Sequence, residues 1–369
     1  MALEVLGAEG RDAERWSALV AALPAELRDL HYLPEYGRIY RDTYGFEPSL
    51  AAWCDDDGCV IQPFVRRPLA GLPFLAEAQD RDRFADIANA YGYGGPLCSA
   101  ADPAVARALY ARFFAAFTDW CIARGIASEF ASLHPFFSGR QLALLDGAVP
   151  CRREKEIVYI DLGGDEAALL SGLNRGARSS VAKARRAGVT VEAIAPTRAA
   201  LAAFQEIYLE TMARRQAAER WRFPDTYFPA CVAHLGPARV SLHVARVGAA
   251  IESAYLLMHD FGTAYYHFGG TRSAHPELRA NNLLMFETAR WAKAAGCTRY
   301  HLGGGVTRSD DDNLLRFKSS FSDRRATLYT YARVLNATVY GDLCDRKRAY
   351  ERASCGRESV SDFFPLYRR

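Results

Sequence analysis

The sequence predicts an α/β (α+β) chain built from two similar halves. Three observations carry that expectation. A segment recurs with its flanking turns, strand-like runs alternate with helix-like ones along the chain, and half of the 369 residues are apolar, enough for two ordinary cores.

The recurrence pairs "GYGGPLCSADPAVARALYARFFAAFTDWCIARGIASEFASLHP" with "YYHFGGTRSAHPELRANNLLMFETARWAKAAGCTRYHLGGG". Each copy has a glycine pair (Gly94 and Gly95, Gly269 and Gly270), then Ser-Ala and a proline (Pro103, Pro276). An amphipathic helix follows, ending in a tryptophan with a glycine five residues on: Trp120 and Gly125, Trp291 and Gly296. A glycine there suits a left-handed helix end, and "IASEFASL" and "TRYHL" read as the strands that follow. Two unrelated helices would not share these flanking turns, so the pattern points to a duplication.

In chain order, "SLAAWCD", "GCVIQPFVRR", "REKEIVYIDLG", "ARVSLHVARV" and "AAIESAYLLMHD" have strand character, and "RAALAAFQEIYLETMARRQ" has helical periodicity. Mixed elements in two halves favour a tandem over a bundle or sandwich. The join falls near "LDGAVPCRREKE", where a Gly/Pro turn precedes a new strand, giving expected domains 1–150 and 151–369, the second with a C-terminal extension.

Lys+Arg 46 against Asp+Glu 43 leave +3 overall, so attraction to polyanions must come from local clusters, and a role in coating or sliding on DNA is not expected. The nine cysteines lack zinc-site spacing and are expected to be reduced thiols in a cytoplasmic protein, with no metal. The N-terminus is acidic without an apolar core, so no signal peptide is expected, and no run reaches the ~20 apolar residues of a membrane span.

Several stretches can carry chemistry. "NRGARSSVAKARRAG" holds Arg175, Arg178, Lys183, Arg185 and Arg186 without one acid. It reads either as a solvated helix face or as an anion site for a phosphate-bearing partner. In "YLETMARRQAAERWRFPDTYF", Arg214 and Arg215 precede Trp221, Phe223, Tyr227 and Phe228, which fits a pocket wall for a nucleotide or sugar, or a helix end followed by core aromatics. His134 and His267 are lone histidines beside aromatic strands, a setting in which satisfied histidines outnumber catalytic ones. GxSxG, HExxH, Walker and complete GxGxxG patterns are absent, and "GGG" at 303–305 alone is a weak signal. In "NLLRFKSSF", Lys318 lies between Phe317 and Phe321 and is either a surface charge on a hairpin or a catalytic one.

Taken in order and spacing, "YLETMARRQAAERWRFPDTYF", the second copy of the repeat and "LLRFKSSF" resemble the Fem family of aminoacyl-tRNA-dependent transferases that build peptidoglycan interpeptide bridges. The resemblance runs from about residue 30 to 335. It implies two tandem GNAT-like acyltransferase domains and an aminoacyl-tRNA co-substrate, with no cofactor. It also implies an acceptor amine on a wall precursor or a small secondary-metabolite molecule.

On this resemblance Lys318 and Phe317 line the site where aminoacyl ester meets amine, Lys318 as a fixed ammonium beside the growing oxyanion, and Phe321 helps to exclude water. Arg214 or Arg215 would meet the acceptor's diphosphate, with Tyr227 and His267 in the same pocket, and the basic segment from Arg175 to Arg186 would contact tRNA. Arg41 lies in "LPEYGRIYRDTYG", where the family has a lysine and this chain has none. The alternatives are acyl transfer from acyl-CoA, and a non-catalytic tandem scaffold. Against CoA stands "RANNLLMF", a turn without glycine in which Asn282 is expected to cap the next helix.

Overall fold

Short turns rich in glycine and aspartate make neighbours of consecutive strands, and a computed structural model shows where they lead. It describes residues 2–76, 80–307, 309, 311–356 and 363–368. The chain divides into two compact units, Met1–Glu154 with Leu328–Arg369, and Lys155–Thr327.

The first unit opens with β1 (Glu4–Gly7), α1 (Gly10–Ala22), α2 (Pro34–Tyr44), β2 (Glu47–Asp55) and β3 (Gly58–Pro68). β4 (Ala85–Ala88), β5 (Leu97–Cys98), α3 (Pro103–Ala123), β6 (Ile126–Ser132) and α4 (Ser138–Leu145) follow. β2 and β3 form a hairpin whose register sets Cys54 directly opposite Cys59, and the two are joined as a disulfide. That corrects the expectation of nine reduced thiols: the tight Asp55–Gly58 turn brings these two sulfurs together. Cys98, Cys121, Cys151, Cys231, Cys297 and Cys344 are free, and the side chain of Cys355 lies outside the described residues.

α3 shows why the repeat is built as it is. Asp102 caps it by accepting from the Ala104 and Val105 amides (2.8 and 3.0 Å), and Pro103 occupies a first-turn position where no amide is needed. Leu109, Phe113, Phe117 and Cys121 recur at helical spacing on its buried face, and Gly125 (φ +66) ends it in the left-handed region. The strand after it, β6, then lies parallel to β4.

The second unit holds β7 (Cys151–Asp161), α5 (Glu166–Gly172), α6 (Arg175–Arg186), β8 (Thr190–Ile194), α7 (Arg198–Arg214) and α8 (Tyr227–Leu235). After these come β9 (Val240–Val247), β10 (Ala250–Asp260), β11 (Thr263–Thr271), α9 (Ala280–Ala294), β12 (Arg299–Gly303) and α10 (Asn313–Ser319). Its strands run in the order β7-β12-β11-β10-β9-β8. β11, α9 and β12 repeat the plan of β4, α3 and β6, with a parallel strand pair either side of a helix and a left-handed glycine, Gly296 (φ +83), after it. The duplication read in the sequence is thus matched by topology.

Beyond α10 come β13 (Arg325–Val334) and α11 (Ala337–Cys355). The expected second domain ran from 151 to 369, but Leu328–Arg369 groups with the first unit. β13 pairs antiparallel with β6, giving that unit the order β1-β2-β3-β4-β6-β13 with β5 beside β3. Buried side chains fix the return. Glu129 on β6 accepts from Tyr331 (2.7 Å), Arg333 (2.9 Å) and Gln62 (2.6 Å), and Tyr367 shares a 2.7 Å hydrogen bond with Ser128. No helix among the described residues is long and apolar enough to cross a membrane.

β11 approaches α7 closely at Gly270, where a Cβ would fall 2.7 Å from the Ile207 carbonyl oxygen. Backbone cannot move aside as a flexible side chain can, so Gly270→Ala should cost about 1–3 kcal/mol in urea unfolding. Gly139→Ala, in α4 where a Cβ meets nothing within 4 Å, should leave stability unchanged or raise it.

Candidate active site

The site is built on the end of β12, where three consecutive glycines each make room for a different neighbour. A Cβ on Gly303 (φ +81) would lie 3.1 Å from the Lys318 Nζ. On Gly304 it would lie 2.7 Å from the Glu156 carbonyl oxygen, and on Gly305 2.6 Å from the Asp312 carboxyl carbon. "GGG", weak as a motif, is a space requirement.

Asp312 ties this turn to α10. Its Oδ1 caps the helix by accepting from the Leu314 and Leu315 amides (2.8 and 3.0 Å), while Oδ2 accepts from the Val306 and Thr307 amides (both 2.8 Å). Burial works against its charge, but these donors hold its carboxyl below the usual carboxylate range. α10 thereby turns Lys318 inward. Only 4% of Lys318 is exposed, its Nζ donates to the Gly304 carbonyl at 2.8 Å, and that nitrogen is 5.3 Å from the centre of the Tyr266 ring. The surface-hairpin alternative therefore falls: Lys318 is on a helix and buried.

Burial, reinforced by the positive charges of Lys155 and Arg215 and opposed by Asp312, lowers Lys318 to about 7. The fixed ammonium of the sequence reading becomes a group that exists as both amine and ammonium near neutral pH. A buried amine of this kind can take a proton from an attacking nucleophile and return it to a leaving group, or place a positive charge beside a developing oxyanion.

Around it the expected residues divide. Arg215, just past α7, is the arginine that acts electrostatically on Lys318, Tyr266 and Tyr255, whereas Arg214 donates to the Thr271 carbonyl (3.1 Å) beside Glu210. Of the two, Arg215 is the one whose charge acts on the lysine. Phe317 is half-buried and Phe321 buried, their rings 5.2 Å apart edge to face in the second unit's core. Tyr227 is fully buried, donating to or accepting from His267 Nε2 at 2.9 Å among Phe223, Phe228 and Phe268. With its surface wholly covered, Tyr227 is a core residue in this structure. Arg41 belongs to the first unit, on α2, and its guanidinium bonds Glu9 and Asp42.

α6 is amphipathic, burying Ala177, Val181 and Ala184 and exposing its five basic residues. They are not equivalent. Arg178 bonds the carbonyls of Ser171 and Leu173, and Arg185 bonds Glu287 at 2.7 Å. At ~100° per residue, Arg175, Lys183 and Arg186 fall on one side of the helix, and no acid among the described residues pairs with them.

Sequence reasoning missed Lys155 on β7, which donates to the Gly305 carbonyl at 3.0 Å, and Tyr266 on β11, whose hydroxyl burial pushes up to about 12. It also misplaced the helix cap before α9. Arg279 (φ +56) holds that position, Asn282 lies inside the helix, and Asn281 accepts from the Tyr255 hydroxyl at 2.6 Å. One signal was available: only five of the 46 basic side chains are lysine, at 155, 183, 293, 318 and 347. In a chain that almost always uses arginine, each lysine is worth inspecting, because lysine can lose its proton on burial and arginine cannot.

In the first unit, Asp29, His31 and His134 are buried with ligand-type atoms within 4.8 Å of one another. Their hydrogen bonds oppose a metal. Asp29 faces His31 Nδ1 at 2.6 Å and His134 Nε2 at 3.3 Å, and His134 Nδ1 accepts from the Phe136 amide at 3.2 Å. Metal binding through Nε2 would need the ring proton on Nδ1, where that amide already points. The trio fits a carboxylate held by two imidazole donors, which keep Asp29 well below the usual range despite its burial.

Residues 173–319, which include Lys318, Arg215 and Tyr266, match the family model described as an acetyltransferase (GNAT) domain. This stretch is thus similar to a GNAT-type domain. As a whole the chain has the Fem-like tandem GNAT fold: it superposes on FemX with a TM-score of 0.64 at 16% identity, covering 92% of this chain and 99% of that one. L-PGS from Bacillus licheniformis gives 0.54 at 13% identity, covering 90% and 94%. A conserved protein of unknown function from Bacteroides thetaiotaomicron gives 0.55 at 12%, covering 87% and 97%. These likenesses are of fold. Compared by sequence, the chain matches none of the curated proteins.

The lowered Lys318 has a consequence for stability. Between about pH 7 and the ordinary lysine value of ~10.4 the unfolded chain holds a proton that the folded chain has released, so this group makes stability rise with pH across that window. Below pH 7 both states are protonated and the cost of the buried charge is fully present. In urea titrations from pH 6 to 10, Lys318→Met should therefore be more stable than wild type at pH 6, with the difference shrinking as pH rises.

Proposed function

We propose that the chain transfers an aminoacyl group from aminoacyl-tRNA to an acceptor amine, forming an amide, with Lys318 as the group that moves the proton. The observation that carries the reading is the buried Lys318 amine on the glycine turn. The acceptor nitrogen attacks the ester carbonyl, and Lys318 Nζ takes its proton. As the C–O bond breaks, the ammonium gives that proton to the departing ribose oxygen, so the lysine ends as it began. The ester is already activated, which leaves the protein to align the partners and place charge.

Two observations favour this donor over acyl-CoA. The resemblance to the Fem family is carried by the stretches that supply Arg215 and Lys318. The turn that opens α9, "RANNLLMF", has no glycine to let a pyrophosphate come close to its amides. The unpaired side of α6 with Arg175, Lys183 and Arg186 suits the phosphates of the tRNA. The acceptor is an amine, on a peptidoglycan precursor or on a small molecule of a secondary-metabolite pathway. The competing reading, acyl-CoA as donor, has the description of the matching family model in its favour.

Purified protein should consume labelled aminoacyl-tRNA in the presence of an amine acceptor, and ribonuclease should abolish product. Turnover of acetyl-CoA instead would transfer the reading to the competitor, and inactivity with both donors would sink it. In the active assay kcat/KM should rise with pH through about 7, as Lys318 loses its proton. Lys318→Met and Lys318→Arg should both lose about two orders of magnitude, because arginine keeps the charge but cannot act as the base. Replacing Arg175, Lys183 and Arg186 together by alanine should weaken tRNA binding and lower the salt slope by about 2.

A further inference from the structure

Lys155 makes the same kind of contact as Lys318, one residue further along the same turn. Lys318 Nζ donates to the Gly304 carbonyl (2.8 Å) and Lys155 Nζ to the Gly305 carbonyl (3.0 Å). Gly304 is pressed against β7 so closely that a Cβ there would lie 3.1 Å from the Lys155 Cδ. β7 thus delivers a second cation to the turn that holds the first.

We propose that Lys155 is a positioning residue for Lys318, fixing the glycine turn from the β7 side and holding a second positive charge beside the reacting nitrogen. The groups that face Lys318 are few. Lys155 comes from β7, Arg215 from the end of α7, Tyr266 from β11, the buried His301 from β12 beside Gly303, and Asp312 from the cap of its own helix. Lys155 and Arg215 favour the amine, and Asp312 favours the ammonium. Arg215 is exposed, so solvent weakens its effect, whereas Lys155 is half-buried and anchored to the same turn. Removing Lys155 should therefore leave Lys318 in place but protonated over a wider pH range. The catalytic meaning of this rests on the aminoacyl-transfer reading; the charge coupling itself does not.

Only five lysines are present, so selective 15N-lysine labelling of the full chain gives a spectrum in which Lys318 can be assigned by the signal lost in Lys318→Arg. Wild type should titrate near 7. In Lys155→Met the midpoint should move up by about one unit, and the rising limb of the pH–rate profile should move with it. Lys155→Arg, which keeps charge and donor, should restore both. A purely structural Lys155 would lower the melting temperature without moving the Lys318 midpoint, and an unmoved midpoint in folded Lys155→Met overturns the proposal. If the midpoint moves while no donor is turned over, the coupling stands and the reading of function fails.

Discussion

The structure around the site depends on keeping water away from one nitrogen. A lysine ammonium is strongly hydrated, and taking it into the second unit's core is unfavourable unless carbonyl oxygens replace the lost water or the proton is given up. Here one carbonyl, that of Gly304, replaces part of the shell, and the neighbouring cations push against the charge. Every nearby choice serves that balance: glycines that let the turn reach the amine, a capped helix short enough to aim it, and an aromatic ring beneath it.

The duplication gives this arrangement its frame. In both units a helix connects two parallel strands and ends in a left-handed glycine. The buried polar groups differ between them. In the first unit Glu129 gathers Gln62, Tyr331 and Arg333, and Asp29 lies between two histidines, so charge is cancelled locally. In the second unit the cations Lys155, Arg215 and Lys318 outnumber Asp312. Equivalent scaffolds thus carry opposite electrostatic designs, one closed and one left with a positive surplus.

Much of the fold was legible because its signals are local. The terminal glycine of each helix and the proline that starts α3 act within a few residues and lie where expected, whereas Pro276 opens a short turn ahead of α9 and only the second glycine pair is part of a strand. The site was legible only in part. Lys318 stood out by its place between two phenylalanines, but Lys155 lies 163 positions earlier and reaches the turn through strand pairing that no local pattern encodes. Tyr227 is ambiguous in the sequence because an aromatic residue near arginines reads alike whether it lines a pocket or fills a core. The Cys54–Cys59 bond was missed for a related reason: spacing rules for metal sites do not describe two cysteines facing each other across a hairpin.

The route of the chain has an outcome for biosynthesis. The first unit is interrupted: Met1–Glu154 waits for β13, α11 and the segment that ends with Tyr367 and Arg368, where Arg368 bonds buried Asp86. Lys155–Thr327 is continuous and can be completed while the ribosome is still adding residues. The first unit cannot complete its sheet until β13 has been made, so a chain interrupted before Arg325 leaves the open edge of β6 without its neighbour.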